Sequence, residues 1–137
     1  MKEHISAVQP RTLPKPAGFS YGYEVKSGRL VFVAGQVAMN SEGKIVGRGD
    51  LVAQFRQVCR NVHTVMSAAG GDMTDIVKLT IYVLDTDDYK RHLREIGAVY
   101  REYFGKHFPA MTLVGARDLF DAADGCLIEI EGVAALA

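Results

Sequence analysis

The sequence lacks net charge: over 137 residues, 16 basic side chains balance 16 acidic ones. No global field steers such a chain toward a polyanion, so a nucleic-acid partner is not expected. It also lacks an apolar run of ~20 residues, and Met1, Lys2, Glu3 and His4 lead into no apolar signal core. A membrane protein is therefore not expected, and the cytoplasm is the expected location. Cysteine is scarce. Cys59 and Cys126 each sit in an apolar segment without a Cys-x-x-Cys or Cys/His spacing, so both are expected to be buried, reduced thiols. The histidines His4, His63, His92 and His107 form no i,i+4 pair and no His-Glu-x-x-His pattern, and no metal site is expected.

What is present suits one globular α+β domain. Hydrophobic residues make up 48% and charged residues 23%, and a chain of this length buries roughly two-thirds of its unfolded surface. Pro10, Pro14 and Pro16 interrupt the first segment, which predicts an extended N-terminal arm over 1–17 and a single domain over 18–137. Tyr21, Tyr23 and Val25 alternate as a strand, and after Ser27-Gly28 the run Leu30 to Ala34 predicts a second strand in a hairpin with the first. Gly35 then interrupts that strand, which most often marks a bulge or a close backbone approach. Residues 40–49 are turn chemistry around a short Ile45-Val46 strand.

Arg48-Gly49-Asp50 spells an adhesion tripeptide, but in this context it is a turn followed by a helix N-cap. Behind Asp50 the stripe Leu51, Phe55, Val58, Val62, Met66 and Ala69 predicts a helix ending at Gly70-Gly71. Val77, Leu79, Ile81 and Val83 then alternate with polar partners as a half-buried strand. A second helix is capped within Asp85 to Asp88, carries Tyr89, Leu93, Ile96 and Tyr100 on one stripe, and stops near Gly105. Strands over 111–116 and 126–133 close the order β-β-(β)-α-β-α-β-β. Right-handed crossovers place both helices on one sheet face. The other face is left uncovered, which predicts self-association and small-molecule clefts between subunits.

Several of these segments resemble one family. Ser27 to Gln36, the Gln57-to-Ala69 helix with its Gly70-Gly71 end, Asp75 to Thr80, Tyr100-x-x-Tyr103-Phe104, Phe108-Pro109-Ala110 and Ile128-Glu129-Ile130-Glu131 resemble the reactive-intermediate deaminases (Rid, also called YjgF; older label endoribonuclease L-PSP), over about Gly18 to Val133. The resemblance implies a chorismate-mutase-like fold, a mixed sheet with two helices on one face assembling as a homotrimer with ligand clefts at the subunit junctions. It implies hydrolysis of small reactive enamines or imines such as 2-aminoacrylate to an oxo acid and ammonia. No cofactor is needed, since an imine carbon is already electrophilic and water has only to be positioned and partly deprotonated. A non-catalytic binding or sensor protein on the same trimer is the alternative, and a nuclease ranks below both.

Carried over from the family, the cleft contains Tyr21, Gly35, Met111, the backbone of Leu113, and Glu129 as the residue that orients water. Each has a plainer reading. Tyr21 serves equally as a packed strand aromatic, Met111 as ligand-facing packing, and Glu129 with Glu131 as a solvated polar strand face. The sequence departs from the family at one decisive place: Pro109-Ala110-Met111 stands where the family's Pro-Ala-Arg supplies a bidentate clamp for the substrate carboxylate, and a thioether has no donor. A helix position often held by Asn is Gly97. Arg117 lies six residues past Met111, roughly 20 Å along a strand, too far for the same cleft. Arg101, Lys106 or a residue of a neighbouring subunit could replace the missing cation, and nothing in the sequence chooses among them.

Overall fold

In the computed structural model, which describes residues 2–137, the chain runs β1 (Ile5–Val8), β2 (Gly22–Val25), β3 (Arg29–Gln36), α1 (Leu51–Ala68), β4 (Ile76–Val83), α2 (Thr86–Arg91), α3 (Leu93–Phe104), β5 (Ala110–Gly115) and β6 (Ile128–Leu136). The fold is α+β: a mixed four-stranded sheet in the order β3-β6-β4-β5, and a separate two-stranded ribbon β1-β2. Met1 lies outside the described residues. No helix among those described is long and apolar enough to cross a membrane.

The expected helix behind Asp50 forms as its caps require. The Asp50 carboxylate accepts from the Ala53 N–H at 3.0 Å, a contact of the kind worth about 1 kcal/mol. At the other end Gly70 turns at φ 85° and the Gly71 N–H returns to the Met66 carbonyl at 2.9 Å, which closes the last turn. The inward stripe of α1 buries Phe55, Val58 and Met66 against Ile76, Val83 and Ile128 of the sheet, with Ile96 and Val99 of α3 beside them. Cys59 and Cys126 are both buried and free. Burial pushes the Cys59 thiol up to about 12.

Several expectations are corrected. The strand at 22–25 does not pair with β3; it pairs antiparallel with β1, Ile5 opposite Val25 and Val8 opposite Gly22. The Ser27-Gly28 turn carries the chain instead onto β6, whose end lies so close that a Cβ at Gly28 would meet the Leu136 carbonyl. β3 then pairs with β6 from Arg29↔Leu136 onward. Thus the expected arm over 1–17 contains a strand.

Second, the sheet face away from the helices is not wholly bare. Val133 and Ala135 alternate with the core residues Ala134 and Leu136 and so point to that face, where Ile5 and Tyr23 of the ribbon pack on them and on Val77. Beside this patch, Leu30 and Phe32 remain 53% and 74% exposed.

Third, the second helix is two segments, broken at His92 (φ −113°, ψ 20°). Its Nδ1–H donates to the Asp88 carbonyl at 2.8 Å, while its backbone N–H goes to Tyr89 O at 3.1 Å. A side chain inserted into the i→i−4 ladder is a standard cause of a kink. The expected Ile45-Val46 strand is reduced to a single bridge, Met39↔Ile45.

Candidate functional site

The β3–β6 ladder slips register between Val33 and Gln36, and this bulge shapes a first candidate hollow. Gly35 sits in the bulge with Glu129 of β6 against it: a Cβ on Gly35 would clash with Glu129 Oε2 and lie 2.9 Å from its Cδ. The close approach expected at Gly35 is therefore an approach to a carboxylate. Glu129 is half-buried and opens into a polar concavity shared with Gly35, Asn40, Gln57, Arg60 and Asn61.

The amides there hold the loop that follows β3. Asn61 Nδ2 donates to Val37 O at 3.0 Å and Met39 O at 2.9 Å, and Gln57 Nε2 donates to Asn61 Oδ1 at 2.9 Å. The Glu129 carboxylate is spared: among the described residues no donor bonds it. Its neighbour Glu131 differs, accepting from the Tyr82 hydroxyl at 3.3 Å.

A second candidate hollow is apolar and lies elsewhere in the chain. β5 runs parallel to β4 with Met111 beside Leu79 and Leu113 beside Ile81, so both face the helices, because Leu79 and Ile81 belong to the core. With Phe19, Tyr89, Gly97 and Arg101 they line a cavity of about 550 Å³. Its wall at Phe19 is fixed by Ser20, whose hydroxyl donates to Phe108 O at 2.5 Å and whose N–H donates to Pro109 O at 3.0 Å. Two of its lining aromatics are stacked, Tyr100 parallel to Phe108 at 5.5 Å, and Tyr100 is backed by Phe104 of the core at 4.4 Å. The Tyr100 hydroxyl is spent on His107 O at 2.6 Å. Burial pushes the Tyr89 phenol up to about 12, so it remains a donor at neutral pH.

One chain thus brings Gly35 together with Glu129, and Met111 together with Leu113, but the two groups share no lining residue. Tyr21 joins neither. Its hydroxyl donates to Pro14 O at 2.7 Å, and its ring packs edge-on to Phe19 at 5.2 Å. Sequence reasoning did not single out Tyr89, Gln57 or Asn61, which read there as ordinary helix residues, and it left Arg101 unselected. The i,i+4 spacing of Gly97 and Arg101 was the available signal, since residues four apart lie on one helix face.

The profile of the Endoribonuclease L-PSP family matches residues 12–136. The chain belongs to this family, the Rid or YjgF proteins. Within it, this Rid chain is 36% identical over 121 residues to a RutC family protein of Pyrococcus horikoshii, covering 88% of this chain and 90% of that one. It is 31% identical over 115 residues to the human 2-iminobutanoate/2-iminopropanoate deaminase, covering 83% and 78%. A Rid-family protein of Yersinia pestis has the same fold, with TM-score 0.75 and 36% identity over 97% of this chain and 99% of that one.

Proposed function

We infer that this Rid protein is a deaminase that hydrolyses small reactive enamines and imines to an oxo acid and ammonia. Its clefts form between the subunits of a homotrimer, each uniting the Glu129 concavity of one subunit with the Met111 cavity of the next. The observation that carries the reading is the Glu129 carboxylate, seated against Gly35 and bonded by no donor among the described residues, so it is free to take a proton from water. Relatives named as imine deaminases supply the reaction class.

The step balances without a cofactor. Glu129 removes a proton from water as the oxygen adds to the protonated imine carbon. The carbinolamine then loses its amine: Glu129 returns the proton to the leaving nitrogen, the C–N bond breaks to release ammonia, and the remaining hydroxyl proton passes from the protonated carbonyl to that ammonia, giving the oxo acid and ammonium. A positioned, partly desolvated water provides the rate advantage.

The assembly is supported by the exposed Leu30 and Phe32 on the open sheet face, where a large apolar patch favours burial by a second copy. The test is to generate imines in situ and measure oxo acid and ammonia together. Equimolar, protein-dependent release is expected; saturable binding without release would leave a sensor protein on the same scaffold.

A further inference from the structure

We propose that Arg101 is the carboxylate anchor of this cleft, and that the apolar cavity around it selects 2-imino acids with bulky side chains over the three-carbon imine. The proposal deepens the deaminase reading and rests on it for the identity of the reacting group. The carboxylate contact itself depends only on the cavity.

Arg101 is the one charged side chain lining that cavity. Long helical side chains lean back toward the N-terminus over the preceding turn, and the residue one turn before Arg101 is Gly97. The guanidinium lies over it: Nη1 is 3.4 Å from where a Cβ of residue 97 would stand. Alanine would just fit there, but any longer side chain would occupy the seat of the guanidinium. Gly97 and Arg101 therefore form a unit in which the absent side chain makes room for the cation.

The guanidinium is also uncommitted. Among the described residues it has no hydrogen bond or ion pair, and two carboxylates of α2 and α3, Glu102 and Asp88, are engaged elsewhere. Glu102 is held by Arg56 in a bidentate pair at 2.5 and 3.1 Å, and Asp88 faces Arg91 at 3.6 Å and His92 at 3.1 Å. A free arginine at an apolar cavity matches a ligand with one carboxylate and an apolar remainder, because the planar fork binds both carboxylate oxygens at once.

Tyr89 adds a neutral donor. Tyr89 lines the same cavity, and its hydroxyl has no protein partner among the described residues and stays protonated far above neutrality. Met111, which occupies the place of the family's arginine, contributes only apolar surface. The anchor is displaced from β5 to α3, and the space that an arginine on β5 would fill is left to the ligand. At about 550 Å³ the cavity lies within the usual range of about 300–1,000 Å³ for ligand pockets. A three-carbon imine would leave most of its apolar wall uncovered. A leucine- or phenylalanine-derived imine would cover it.

The test is calorimetric titration of the intact protein with α-ketoisocaproate, with pyruvate, and with isobutyl methyl ketone, which keeps the apolar part of the first and lacks its carboxylate. Wild type should bind α-ketoisocaproate about tenfold or more tightly than either of the others. Arg101→Gln should lose about tenfold or more for α-ketoisocaproate and little for the ketone, as expected for a charge-assisted pair. Arg101→Lys should recover part of the loss, and Gly97→Leu should reproduce it.

An Arg101→Gln variant that binds α-ketoisocaproate like wild type overturns the proposal, as does a wild type that prefers pyruvate or binds none of the three. Measuring ammonia release on the same samples separates the two readings. Arg101-dependent binding without ammonia release leaves the anchor standing and removes the deaminase. Release with an unchanged KM in Arg101→Gln does the reverse.

Discussion

The carboxylate of Glu129 stands where a side chain at position 35 would stand: a Cβ there would lie 2.9 Å from its Cδ and 3.2 Å from its Cγ. Gly35 has no positive φ among the chain's glycines, so the requirement at this position is space and not backbone freedom. Gly35→Ala should therefore fold normally, because Glu129 is a flexible side chain with open room beside it, but its carboxylate must swing away. The thermal midpoint should move by only a few degrees, while the deamination rate falls about as far as in Glu129→Gln. A Gly35→Ala variant with wild-type turnover would show that the seating of Glu129 is irrelevant to the chemistry.

Glu129 and Glu131 share a strand face but not a hydrogen-bonding environment. The Tyr82 hydroxyl donates to Glu131, whereas Glu129 has no donor among the described residues. Glu129→Gln should lower the rate on the order of 10²-fold or more, as loss of a positioned base does, with ligand affinity retained. Glu131→Gln should change it several-fold at most. Coupled ammonia assays on both variants measure the difference, and equal losses would mean that the two carboxylates act as a pair.

Met111 gives β5 a thioether and no cation at the wall of the apolar cavity. Turnover of 2-aminoacrylate by wild type should be weak, and Met111→Arg should raise its kcat/KM by about tenfold, the scale of one added charge-assisted contact. The same substitution fills the cavity and should lower activity toward a leucine-derived imine. Steady-state kinetics with both substrates checks the crossover.

Burial holds the Cys59 thiol up to about 12, against about 8.5 in an unfolded chain. The folded state thus keeps a proton that the unfolded state releases. The resulting stability is fully present below about pH 8.5 and is lost as pH rises through the window up to about 12. Between pH 8 and 10 wild type should lose about 1–2 kcal/mol more than Cys59→Ala does. Parallel urea unfolding curves at the two pH values measure this, and identical losses would place the thiol in contact with water.

Much of the fold was legible because local chemistry and tertiary structure agree. Asp50, Gly70 and the stripe between them specify α1, and the alternation from Val77 to Val83 specifies β4. β1 was not legible: Ile5–Val8 carries little pattern of its own. It is fixed by distant partners, with His4 donating to Ala135 O at 2.6 Å, Lys2 pairing with Asp75 at 2.7 Å, and Ile5 packed on Ala135. The supposed β2–β3 hairpin failed for the same reason, since β6 competes for β3 and β1 takes β2. The kink at His92 depends on one side-chain hydrogen bond that helical periodicity does not encode. In the candidate site, motif positions singled out Glu129, Gly35 and Met111 individually. That they fall into two separate hollows of one chain, and that Arg101 lies over Gly97, follows only from three-dimensional placement.

Those two hollows make the central claim directly measurable. If each cleft takes Glu129 from one subunit and Arg101 from the next, a mixture of Glu129→Gln and Arg101→Gln chains must regenerate some intact clefts. Assayed well below KM, each variant alone should keep a tenth or less of the wild-type rate toward a leucine-derived imine. After co-refolding at equal amounts, with light scattering confirming a particle of three 15.0 kDa chains, about a quarter of the clefts should carry both wild-type residues, as random assembly of a cyclic trimer gives. Recovery of roughly that fraction of wild-type activity is the predicted result; no recovery above the two parent variants would contradict a cleft shared between subunits.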